Sequence, residues 1–150
     1  MSTIICGFSG IGKSTVAQKN KRILDFESSG YSNIFENGFV VSRNKDFPEN
    51  YINKLEELIK TNEADYYLLS CHEEVRDELK ARGLKYIIVL PYRDKKLKNE
   101  YKKRWLKRGS NIDFITKMNE HWEEMIDSCV NDDAPKIYLD EHEYLSDILV

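Results

Sequence analysis

Nine residues near the start of the chain, Gly7-Phe8-Ser9-Gly10-Ile11-Gly12-Lys13-Ser14-Thr15, constrain its fold more than any other stretch. They satisfy the pattern G-x-x-x-x-G-K-[ST]. A short apolar run, Thr3 to Cys6, precedes them and a helix-compatible segment, Lys13 to Lys21, begins within them, so the string lies where a strand hands over to a helix. Glycines at such a junction let backbone N–H groups turn inward around an anion, and a helix N-terminus adds partial positive charge. The pattern therefore predicts that Gly7, Ser9, Gly10, Ile11, Gly12, Lys13, Ser14 and Thr15 hold the phosphates of ATP or another nucleoside triphosphate. Lys13 is expected to reach the β- and γ-phosphates. Ser14 is expected to offer its hydroxyl to Mg²⁺, which prefers phosphate oxygens, waters and a few protein oxygens. A chance match in a glycine-rich turn is the competing reading, and the strand–loop–helix context weighs against it.

Further strand-like runs fall at Arg22 to Asp25, Asp65 to Leu69, Lys85 to Leu90 and Lys136 to Leu139, with helix-periodic segments between them. The strongest apolar stripe is Ile112, Ile115, Met118, Trp122, Met125, Ile126 and Cys129, which reads as core. Capping boxes are expected at Ser70 with Glu73, Ser110 with Asp113 and, more loosely, Asp140 with Glu143. Five strands alternating with helices predict an α/β fold with a parallel sheet, because parallel strands need helical crossovers. The 150 residues suit one domain, 1–150, and nine Tyr, six Phe and two Trp supply ample core.

The net charge of −3 hides an asymmetry. Arg93 to Arg108 holds nine Lys or Arg against two Asp or Glu, which is +7 and leaves −10 elsewhere. Three cysteines without a C-x-x-C pair and three histidines without ligand spacing support neither a disulfide framework nor a structural zinc. The longest apolar run, Tyr86 to Leu90, is five residues, too short to span a bilayer, and Met1 to Cys6 lacks a basic leader. A cytoplasmic protein with no membrane partner is expected.

Gly7-x-x-Gly10-x-Gly12-Lys13-Ser14-Thr15 resembles the small P-loop kinases of the nucleoside, nucleotide (adenylate-kinase-like) and polynucleotide 5′-hydroxyl kinase group, including short phage-type nucleotide kinases. The resemblance is motif-specific over the first 15 residues. It implies a three-layer α/β/α P-loop NTPase fold with strand order 2-3-1-4-5, an acceptor-binding region at about 26–64 and a helical lid at about 93–111. It further implies transfer of the γ-phosphoryl group of ATP, with Mg²⁺, to a nucleoside, a nucleotide or a nucleic-acid end, a small hydroxyl metabolite being the alternative acceptor. Two rival chemistries are a hydrolytic NTPase switch and a nucleotide-binding regulator without transfer. Against a motor, the strand Asp65 to Leu69 ends in Ser70 rather than an acid; against a guanine reader, Asn53-Lys54-Leu55-Glu56 carries Glu where N-K-x-D has Asp.

Ligands of doubly wound sheets lie outside the carboxyl ends of the strands. There, the resemblance implies that Asp25 orients or activates the acceptor or holds the Mg²⁺ waters, with Glu27 second. Arg104 and Arg108, four apart on one helix face, are expected to close over the transferring phosphoryl group. A solvated basic face and a nucleic-acid surface are the alternatives for that helix. Arg43, Ser70 and His72 complete the expected acceptor contacts.

Overall fold

Crossover connections dominate this chain because its apolar runs are short and separated by amphipathic segments. In the computed structural model, which describes residues 2–149, Thr3–Gly7 forms β1, Lys13–Lys19 α1, Ile23–Asp25 β2, Ser29–Ser32 α2, Asn33–Glu36 β3 and Phe39–Arg43 β4. Glu49–Lys60 forms α3, Tyr66–Ser70 β5, Glu73–Ala81 α4, Ile87–Pro91 β6, Lys95–Lys107 α5, Ile112–Glu120 α6, Trp122–Val130 α7 and Lys136–Leu139 β7, ahead of a 3₁₀ turn at Leu145–Asp147. Met1 and Val150, the ends of the expected domain, lie outside the described residues. Among the described residues no helix is long and apolar enough to cross a membrane.

The five-stranded sheet runs β2-β5-β1-β6-β7, every pairing parallel. These labels depart from the expected 2-3-1-4-5 because β3 and β4 form a separate antiparallel pair between the second and third strands of the main sheet. Taken in chain order, the sheet's own strands run second, third, first, fourth, fifth. The added hairpin turns through Asn37 and Gly38, both at positive φ, as a two-residue type I′ turn requires. Its residues are exposed except for half-buried Asn33, and Phe39 is 75% exposed.

The connection after β1 leads outward to β2, whereas the one after β5 crosses back to β6. Right-handed crossovers then place α1 and α4 on opposite faces, and a crevice opens between the adjoining ends of β1 and β5. Gly7 and Ser70 are paired at that point. Ile4, Ile5 and Cys6 are buried in succession, as a strand covered on both faces requires.

Three local expectations are corrected. Asn111, not Ser110, caps α6, its Oδ1 accepting from the Asp113 N–H at 2.7 Å. No helix starts at Asp140; Glu143 Oε1 accepts from the Asp140 N–H at 2.5 Å within a turn. The long stripe is two helices broken at His121, with Ile112 69% exposed while Trp122, Ile126 and Cys129 are buried.

Candidate functional site

Positive φ at Gly10 (+97°) and Gly12 (+93°) gives the loop between β1 and α1 its shape. A Cβ on Gly10 would stand 2.9 Å from Trp105 Nε1, so both the backbone and the close approach of α5 exclude a side chain. Phe8 and Ile11 turn into the core, fully buried, and the Phe8 ring packs edge-on to Tyr101 and Trp122.

The loop carbonyls are held from outside. Trp105 Nε1 donates to Ser9 O at 3.2 Å, Arg104 Nη1 to Gly10 O at 2.9 Å and the Leu145 backbone N–H to Ile11 O at 2.8 Å. Because a trans peptide sets its N–H opposite its C=O, the N–H groups of Gly10, Ile11 and Gly12 point away from these three donors. The Ile11 N–H makes only a long 3.4 Å contact with Phe8 O. Helix α1, at seven residues, is shorter than the expected Lys13 to Lys21.

Gly7, Phe8, Ser9, Gly10 and Gly12 line one side of a cleft of about 1320 Å³ at the carboxyl ends of the sheet strands, whereas Ile11, expected among the phosphate contacts, does not line it. Lys13 enters it, Nζ donating to Gly7 O at 2.7 Å, and Ser14 and Thr15 line it beside Asp25. The Phe26 N–H donates to Leu68 O at 2.9 Å, and the Phe26 ring stacks on buried Tyr51 at 4.4 Å, which fixes the chain just after Asp25. Desolvation raises the Asp25 carboxyl above its ordinary value; Lys13 opposes this and Glu27 adds to it. Glu27, Ser70 and His72 also line the cleft. Desolvation lowers the His72 imidazole, and Lys13 lowers it further, which favours the neutral ring.

Ser70 does not form the expected capping box: α4 starts after His72, and the buried Ser70 hydroxyl has no hydrogen-bond partner. Arg43 does not line the cleft. It pairs with Glu74 and lies over the Phe47 ring at 5.4 Å.

Arg104 and Arg108 both reach the cleft, in different states. Arg104, its side chain 8% exposed, also donates to Glu100 Oε2 at 2.5 Å and Glu143 O at 3.0 Å, sandwiched between the Tyr101 and Tyr144 rings. It is a fastening between α5, the glycine loop and the C-terminal turn. Arg108 is more open, donating to Ser9 Oγ at 2.9 Å and Ser110 Oγ at 2.6 Å. Desolvation lowers its guanidinium, while Glu27 across the cleft raises it.

Sequence reasoning missed Trp105, Tyr144 and Leu145 as supports of the loop. Trp105 follows Arg104 directly, and its lone indole donor was a usable signal; Leu145 acts through its backbone, which no side-chain pattern reveals. Ser14 and Asp25 bring hard oxygen donors to one cleft, a set that suits Mg²⁺ beside phosphate oxygens. No protein-family model matches the chain, and no curated protein matches it.

Proposed function

We propose that the chain is a single-domain P-loop phosphotransferase that uses ATP and Mg²⁺ to phosphorylate a nucleoside, a nucleotide or a nucleic-acid hydroxyl. The observation that carries this reading is the triple fastening of the Ser9, Gly10 and Ile11 carbonyls, which supports a preorganised polyphosphate cradle made of the amides that follow them and Lys13. Such a cradle needs no reorganisation when charge shifts along the triphosphate.

In this reading Lys13 and the loop amides bind the donor, and Ser14 would hold Mg²⁺, with Asp25 facing its waters, so that the metal would neutralise phosphate charge. Asp25, at the end of β2, orients the attacking group and accepts its proton; its raised pKa brings it nearer the working range of a base. Arg108, free of any carboxylate partner within ion-pair distance among the described residues, meets the transferring phosphoryl oxygens, while Arg104 acts through the loop it holds. A transferase is favoured over a hydrolytic switch because β5 ends in Ser70, not in an acid that polarises water.

Incubation with γ-labelled ATP, Mg²⁺ and a panel of hydroxyl and phosphate acceptors tests the proposal. Label is expected on an acceptor with the wild type and on none with Lys13→Ala. Free phosphate as the sole product of the wild type would contradict it.

A further inference from the structure

The strand order divides the cleft. β2 and β5 end on one side of the glycine loop, and β6 and β7 on the other. The side after β6 carries Lys96, Lys103, Lys107 and Arg108 against Glu100 and Glu141, Lys96 being paired with Glu141, so this bank stays net positive, as a polyphosphate requires. The side after β2 and β5 carries Asp25, Glu27 and Glu73.

One guanidinium lines that acidic side, Arg76, and it is committed elsewhere. Arg76 is 3% exposed and donates to Cys71 O, Ser128 O, Ser128 Oγ and Asp132 Oδ2, whose carboxylate matches its charge. Arg43, the other arginine on this part of the chain, is paired with Glu74 outside the cleft. A second phosphate there would face three carboxylates with no cation of its own, Lys13 and Arg108 of the same cleft being engaged by the donor in this reading, and like charges at close quarters are disfavoured.

The same wall suits hydroxyl groups. Ser70 Oγ is buried without a partner, and carboxylates accept from O–H donors without needing a countercharge on them. We infer that the phosphoryl acceptor is an uncharged small-molecule hydroxyl, of the nucleoside or polyol kind, rather than a nucleoside monophosphate or a nucleic-acid end. This rests on the phosphotransferase reading and names the acceptor class of the same cleft. In the step, the acceptor oxygen forms a bond to the γ-phosphorus of ATP, the bond from that phosphorus to the β,γ-bridging oxygen breaks, ADP leaves and the hydroxyl proton passes to a base.

The test compares kcat/KM at saturating Mg²⁺ and ATP for adenosine, guanosine, cytidine, thymidine and glycerol with the four 5′-monophosphates and a 5′-hydroxyl oligonucleotide. At least one uncharged acceptor is expected to exceed every phosphorylated one by about 100-fold, since like charges set against one another carry a penalty of that order. Glu27→Arg is expected to cut this preference about tenfold by supplying the missing cation. A monophosphate or oligonucleotide used as well as or better than every uncharged acceptor would overturn the inference and leave the transferase reading standing. ATP turned over to free phosphate with no acceptor labelled would overturn both.

Discussion

Replacing Arg104 separates two roles an arginine beside the glycine loop can have. Its guanidinium bonds Gly10 O, Glu143 O and Glu100, with its side chain 8% and that of Glu100 15% exposed. Each hydrogen bond involving a charged group contributes about 1.5–3 kcal/mol. Water will reach part of the space vacated in Arg104→Ala, and Glu100 keeps the His142 N–H at 3.1 Å, so the net loss should be about 3–4 kcal/mol. That is a large share of a total of about 5–15 kcal/mol. Freed from Arg104, the Gly10–Ile11 peptide can rotate, which should weaken triphosphate binding about tenfold, or about 1.4 kcal/mol. Urea unfolding followed by the fluorescence of buried Trp105 and Trp122, alongside titration with a fluorescent ATP analogue, measures both effects. Arg104→Lys keeps the charge but cannot span the three acceptors, and should fall between the two. Wild-type stability and affinity combined with turnover reduced about 10³-fold would refute this account and place Arg104 on the reacting phosphoryl group.

Three further outcomes are expected. Gly10→Ala, which forces a Cβ at positive φ against Trp105, should destabilise the fold by more than about 1 kcal/mol and abolish triphosphate binding, seen in the same unfolding and titration assays. Asp25→Asn should abolish acceptor phosphorylation while ATP affinity stays within a few-fold, and the wild-type rate should rise with pH through an ionisation above the ordinary carboxylate value of 3.8. Because its folded pKa is raised, the stabilisation from protonated Asp25 is fully present below the unfolded pKa and lost as pH rises through the folded one, so Asp25→Asn should also melt higher at neutral pH. Asp132 has the opposite sign: burial pushes its carboxyl up, but hydrogen bonds from the Ala134 N–H, Arg76, Tyr86 and Lys80 outweigh that and hold it far below the carboxylate range. Its stabilisation is present above the unfolded pKa and lost as pH falls through the folded one, so Asp132→Asn should cost about 3–5 kcal/mol at neutral pH and flatten the acid limb of stability.

The parallel sheet was legible because each of its strands is a local apolar run bounded by polar or glycine residues, and local patterns set local structure. The hairpin Asn33–Arg43 was not read, although Asn37-Gly38 between apolar residues announces it; its strands face water on both sides and lack the alternation that marks a half-buried strand. Caps slipped by a residue or two because Asn111 and His72 occupy positions that the neighbouring serines fill equally well by composition. At the site, the placement of most of the loop residues and Asp25 at one cleft was legible in a contiguous motif and a strand end. What was hidden depends on separation along the chain: Arg104 meets the loop 94 residues away, and Leu145 meets Ile11 through backbone atoms alone. Burial then decided that Arg104 is a fastening and Arg108 the more open group, a distinction that two arginines on one helix face cannot carry in sequence.

Titration of the purified protein with ATP, with and without Mg²⁺, measures most directly whether the loop is a polyphosphate cradle. Saturable Mg²⁺-dependent binding is expected, weakened at least about 100-fold in Lys13→Ala. An absence of affinity for ATP and GTP alike, or undiminished binding by Lys13→Ala, would contradict the account.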